Sequence, residues 1–253
     1  MAYIDEEGRR VKEKMPLEGL RAAITASMTR SKRDFPQGTG SAELDVTKLI
    51  QFRNEVNEKL KESGKKVTFG DLYVKVAACA MEENMDLNGA RIDEELVYYD
   101  DINIGVAASI NGVLINPVIE HADQKNIEEI SEELAKTYGY LKKGKLMRVK
   151  LEGATFTVSN LGTFLIDDQH PFLVPPQACI FGISRNRVMP VYNENMEIVP
   201  GNLTLFSLTI DHGFTDGANV ARFLTSVNKV LQDPWTYMYH KAEPKTDEAE
   251  TEE

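Results

Sequence analysis

The order in which helical and strand periods succeed one another constrains this chain more than any other feature. Leu20, Ala23, Ile24, Ser27 and Met28 fall on one helical stripe between Leu20 and about Ser31. A second helix is expected from Lys48 to Glu62, opened by Asp45 or Thr47 and closed by Gly64. Thr68 or Asp71 opens a third through LYVKVAACAMEE. Strand signals then take over: Val97-Tyr98-Tyr99, INIGVAASI and VLINPVI, the last two joined by Asn111-Gly112, a pair that accepts positive φ at both turn positions. An amphipathic helix from Ile127 to Leu141 comes before three β-rich segments, ATFTVSNLG, ACIFGIS and LTLFSLTID. Helical periodicity returns from Ala218 to Leu231. Helices and strands therefore do not alternate strictly, which argues against a doubly wound nucleotide-binding sheet. No GxGxxG or GxxxxGK[ST] stretch is present either. The expectation is an α/β chain of the α+β two-layer sandwich type, a mixed sheet with helices on one face.

That domain should occupy residues 16–240. Residues 1–15 are charged and aperiodic and read as an N-terminal arm. Residues 241–253 are acidic, lack large apolar side chains and read as a disordered tail. A balance of 29 Lys and Arg against 40 Asp and Glu gives a net charge of −11, which argues against nucleic-acid binding because phosphates are bound through clustered cations. Cys79 and Cys179 sit in apolar stretches and are expected to be buried free thiols. The four histidines are scattered and nothing has metal spacing, so no metal is expected. A reducing, cytoplasmic location is the default for such a chain. The opening residues are too polar for a signal peptide, and no apolar run reaches the ~18 residues of a membrane span.

The stretch Ile210-Asp211-His212-Gly213-Phe214-Thr215-Asp216-Gly217 carries the most chemistry. A strand runs into His212 and a helix follows Gly217. An imidazole held on such a turn with one nitrogen free can take a proton from a thiol or hydroxyl near neutral pH. Asp216 has two readings, an ion pair that orders the loop or a cap on the following helix.

This stretch resembles the DHRxxDG motif in the catalytic domain of the dihydrolipoamide acyltransferases of 2-oxo-acid dehydrogenase complexes, and is similar to the HHxxxDG motif of chloramphenicol acetyltransferase. MPLEGLRAAITASMTRSK, YYDDINIGVAASINGVLINPVI, ATFTVSNLGTF and VPPQACIFGIS look like further blocks of that family, in its order, over roughly residues 15–240. The resemblance implies a chloramphenicol acetyltransferase-like fold and transfer of an acyl group between coenzyme A and a thiol such as dihydrolipoamide. It implies that His212 is the general base, that Asp216 orders the loop with Arg21 as its partner, and that Ser159 donates to the oxyanion. Asn160, Gly162 and Gly217 are implied to line the substrate site. It also implies a homotrimer with substrates entering between subunits.

The chain departs from the pattern in four places. Gly213 stands where the motif has arginine, so the contact that arginine makes is lost and a shift in acceptor preference is expected with it, while His212 and Asp216-Gly217 keep the base. The given sequence carries no lipoyl attachment site, and the expectation is a separate lipoyl-carrying protein or 2-oxo-acid dehydrogenase components as partners, or coenzyme A with some other acceptor. Trp235, Tyr237, Met238 and Tyr239 lead into an acidic tail instead of an apolar anchor, which points to a free trimer. Asp167, Asp168 and His170 make the loop after Ser159 unusually charged, and it is expected to be solvated. Two rival functions remain at this level: an inactive scaffold of the same fold, and an acetyl-coenzyme A-dependent transferase acting on a small hydroxyl or amine.

Overall fold

The computed structural model describes residues 3–110, 113–193 and 195–244. The arm forms a small antiparallel pair, β1 (Tyr3–Ile4) with β2 (Arg10–Val11). Then follow α1 (Gly19–Asp34), β3 (Gln37–Asp45), α2 (Thr47–Leu60) and α3 (Phe69–Glu82). Asp45 accepts the Thr47 amide at 2.7 Å, and Gly64 ends the 3-10 turn after α2 at φ 69°, a conformation glycine takes without steric cost. Thr68 and Asp71 both act at the start of α3, in a reciprocal capping box.

A hairpin of β4 (Gly89–Ile92) and β5 (Glu95–Tyr98) comes next. After it lie β6 (Ile104–Ile110), β7 (Val113–Ile115) and β8 (Val118–Ile119). β6 and β7 pair antiparallel; the expected turn residues Asn111 and Gly112 lie outside the described residues. The chain continues through α4 (Ile127–Lys142), β9 (Phe156–Asn160), β10 (Cys179–Tyr192), β11 (Ile198–Asp211), α5 (Gly217–Gln232) and α6 (Pro234–Tyr237). Of the tail, only residues 241–244 are described.

Among the described residues the main sheet has seven strands, in the order β3-β11-β10-β9-β6-β7 with β8 also on β6. β9 runs parallel to β6 and β10 while the other pairs are antiparallel, so the sheet is mixed as expected. Strand alternation sorts the two faces. Phe206, Leu208 and Ile210 of β11 join Phe181 and Ile183 of β10 and Phe156 and Val158 of β9 in the core beneath α3 and α5. There Phe181 stacks on Phe206 at 5.6 Å and meets Phe223 of α5 edge-on at 5.4 Å. Burying each such ring stabilises the fold by about 2–3 kcal/mol.

The opposite face of the same strands carries Thr157, Ser207, Thr209 and Asp211, polar yet buried. The connection from β9 to β10 crosses this face and satisfies it. Gln169 donates to the carbonyls of Ser159 (2.9 Å) and Ile183 (2.6 Å), and its own carbonyl accepts the Ser207 hydroxyl (2.7 Å). Asp167, Asp168 and His170 of this loop are exposed; Asp167 pairs with Arg185 and His170 with Asp168. The loop is thus solvated on its outer side, while Gln169 and Leu173 anchor it inside. The stripe on α1 stays open: Leu20 is 52% exposed, and the only buried residue of that helix is Ser31.

Candidate active site

β11 delivers His212 to the turn that links the sheet to α5. The turn is held at its root by Asp211, which is fully buried. One carboxylate oxygen of Asp211 accepts Arg91 Nε at 2.8 Å and the other accepts the Gly213 amide at 3.0 Å. The Asp211 carbonyl takes the amides of Phe214 (2.9 Å) and Thr215 (3.1 Å), and the His212 amide donates to the Pro36 carbonyl at 2.8 Å. Phe214 drives its ring against the β4–β5 hairpin, 5.1 Å from the Tyr98 ring; a Cβ on Gly89 would meet it at 2.4 Å, so only glycine fits there. The imidazole itself is exposed and lies beside Gly38, whose missing side chain leaves room for it. Among the described residues, neither ring nitrogen of His212 has a hydrogen-bond partner. The backbone around the ring is therefore fixed while the ring is free to act.

Asp216 caps α5: its carboxylate accepts the amides of Ala218 (2.8 Å) and Asn219 (3.3 Å). Of the two readings of this residue, capping is the one seen. Gly217 begins the helix and is exposed. Arg21 lies in the first turn of α1, exposed, whereas the last residue of that helix, Asp34, meets the His212 region through Arg91; the helix between them spans roughly 20 Å.

Ser159 stands near the end of β9, half-buried. In the register of the sheet it lies level with Gly182, and Gly182 with Ser207, five residues before His212. Two strand spacings across and five residues along put Ser159 and His212 roughly 15–20 Å apart within one chain. Next to Ser159, the Asn160 carboxamide accepts the Gly162 amide at 2.8 Å. A Cβ on Gly162 would come within 3.0 Å of that oxygen and 3.3 Å of the Ser184 carbonyl, which explains the glycine.

Asn160, Gly162 and Ser184 border a cavity of about 450 Å³ that also touches Arg53, Phe69 and Tyr73. Arg53 lies over the Phe69 ring at 4.5 Å, and its Nε is buried without a partner. A guanidinium over a flat apolar ring suits an extended, partly anionic ligand. No cluster of His, Cys, Asp and Glu suited to a metal occurs among the described residues. Both cysteines are buried and free; burial pushes the Cys79 thiol up to about 11 and raises that of Cys179 further.

The ion pair of Arg91 with Asp211 escaped the sequence reading. Asp211 was in view as the neighbour of His212, but its partner is 120 residues away in a short strand, a pairing no local pattern announces. Gln169 was missed for the opposite reason, hidden among charged neighbours that do face water.

A mixed sheet with helices on one face and a strand-end histidine turn defines the class: an α/β sandwich built like an acyltransferase. The model of the 2-oxoacid dehydrogenases acyltransferase (catalytic domain) matches residues 9–239, and the chain belongs to that family. A lipoamide acyltransferase component of the branched-chain alpha-keto acid dehydrogenase complex of Bacillus subtilis is 31% identical over 87% of this chain and 52% of its own length. This chain spans about half the length of the curated relatives it matches. A probable dihydrolipoamide acetyltransferase from Listeria monocytogenes has a solved structure 30% identical, at TM-score 0.83, covering 87% of this chain and 94% of that one. The cubic core of a pyruvate dehydrogenase multienzyme complex superposes equally well, 28% identical, over 89% and 93%. Chloramphenicol acetyltransferase, 15% identical at TM-score 0.50 over 91% of this chain and all of its own, shares the fold.

Proposed function

We propose that this chain transfers an acyl group between coenzyme A and a thiol acceptor such as dihydrolipoamide, with His212 as the base. The observation that carries this reading is the uncommitted imidazole of His212 on a turn whose backbone is fixed on every side. A thiol with a pKa near ~8.5 is mostly protonated at neutral pH. Neutral His212 takes its proton as sulfur attacks the thioester carbonyl, and the charge passes to the carbonyl oxygen, where the Ser159 hydroxyl donates. Collapse expels the second thiolate, which recovers the proton from His212. No acyl-enzyme forms.

The separation of His212 from Ser159 means that one chain does not assemble this site alone. We place the reaction between two copies, the His212 turn of one meeting the Ser159 end of the next. The uncovered stripe of α1 and the exposed Phe164, Leu165 and Phe172 are apolar surface suited to such a contact. The oligomer we propose is a cyclic trimer, one of the closed rings a single heterologous contact can form. A lipoyl-carrying protein would bring the acyl group, and buried free thiols suit the cytoplasm.

The test is His212→Ala, assayed for acetyl transfer from acetyl-coenzyme A to dihydrolipoamide. The expected loss is roughly 10²–10⁴-fold with an unchanged circular dichroism melt. Undiminished transfer in that variant would refute the assignment, and no transfer by the parent to any thiol would favour the scaffold reading.

A further inference from the structure

The motif that His212 belongs to carries arginine at the following position, and this chain carries Gly213. The turn has nevertheless kept a guanidinium. Arg91 reaches in from β4, three-quarters covered, and places Nε 2.8 Å from the buried Asp211 carboxylate. A second nitrogen of Arg91 donates to the Asp34 carbonyl at the end of α1 at 2.7 Å, and the group lies over the Phe35 ring at 5.0 Å. A Cβ built on Gly213 would sit 3.3 Å from Arg91 Nε and 3.2 Å from Asp211 Oδ1. Arg91 therefore fills the space into which a side chain at position 213 would begin to grow.

We propose that Arg91 is the positioning residue of the His212 turn and takes over from another strand the guanidinium that the motif places at position 213. The argument runs through Asp211. A fully buried carboxylate is tolerable only when paired, and Arg91 is the cation that pairs it. So neutralised, Asp211 uses its other oxygen to hold the Gly213 amide, which closes the turn around His212. Arg91 touches no reacting atom in this scheme; it sets where the imidazole stands. The same hairpin, through Gly89 and Tyr98, also grips Phe214, so β4 and β5 hold the turn on both sides of His212.

The inference rests on the reading of His212 as the base, so the parent and His212→Ala are measured beside Arg91→Ala, Arg91→Lys, Gly213→Arg and the double variant Arg91→Ala/Gly213→Arg. Loss of Arg91 is expected to lower kcat about 10–100-fold, as a misplaced base does, while KM for both thiols stays within about twofold. Gly213→Arg alone puts two guanidinium groups into one space and should lower kcat as well. The double variant should exceed both single variants, an interaction that a cycle isolates. Arg91→Lys, which keeps the charge without the fork, should fall between the parent and Arg91→Ala.

If His212→Ala is inactive but Arg91→Ala retains full kcat, the positioning role is wrong and the function stands. If the double variant is no better than the worse single variant, in folded protein, the substitution of one guanidinium for the other is wrong. If His212→Ala is as active as the parent, it is the function that falls.

Discussion

The two ends of the sheet that carry candidate catalytic groups are held in different ways. The His212 end is fixed by side chains: a buried ion pair, a ring wedged against a glycine and a capped helix. The Ser159 end is tied down by one buried side-chain carboxamide, that of Gln169, which donates to two main-chain carbonyls, and the neighbouring Asn160 and Gly162 line a cavity with an unpartnered guanidinium nitrogen. A base that shuttles a proton between two sulfurs must keep one position through the cycle, and an ion-paired turn provides it. An oxyanion donor must coexist with a bound thioester, and a strand end close to open volume leaves room for one. The contrast teaches that the two ends lie apart in one chain and are held by different means, which is why the proposed reaction needs a second copy to bring them together.

Several variants break or sharpen that comparison. The largest effect is expected from Ser159→Ala, about 10²–10³-fold in kcat with KM nearly constant, if its hydroxyl meets the oxyanion. A change confined to KM would make the residue a binding contact instead. Gln169→Leu strips hydrogen bonds from the Ser159 and Ile183 carbonyls and should lower stability by about 2–3 kcal/mol in urea titrations. A loss that small at the His212 end, from Arg91→Leu, would mean that both ends are held alike, since an orphaned buried carboxylate should cost about 3–5 kcal/mol. Asp216→Ala removes a cap and should cost about 1 kcal/mol, with kcat falling far less than in Ser159→Ala. Equal losses of kcat would give Asp216 a part in the chemistry beyond capping. Smallest of all, an aromatic disulfide reagent at pH 8 should label neither cysteine until the protein is unfolded, since burial keeps both thiols protonated. Rapid native labelling of Cys179 would show that the sheet opens near the His212 end.

Much of this was legible in the sequence because it is local. The capping box of Thr68 and Asp71, the alternation in LTLFSLTID and the strand-to-helix turn at His212 are all written within a few residues. The family blocks gave the fold. What stayed hidden is non-local: Arg91 meets Asp211 only after the β4–β5 hairpin docks, and the stripe on α1 reads as a core face although one chain leaves it uncovered. Periodicity reports that a face is apolar; it does not report what, if anything, covers it.

That the site is completed by a second copy is tested most directly by mixing two dead variants. His212→Ala and Ser159→Ala are unfolded together, refolded into mixed oligomers and assayed, with native mass spectrometry to verify mixing. If the groups meet between subunits, about a quarter of the interfaces in a one-to-one mixture carry both intact groups, and activity should return towards that fraction. Mixed oligomers that form and stay as inactive as either variant alone would contradict it.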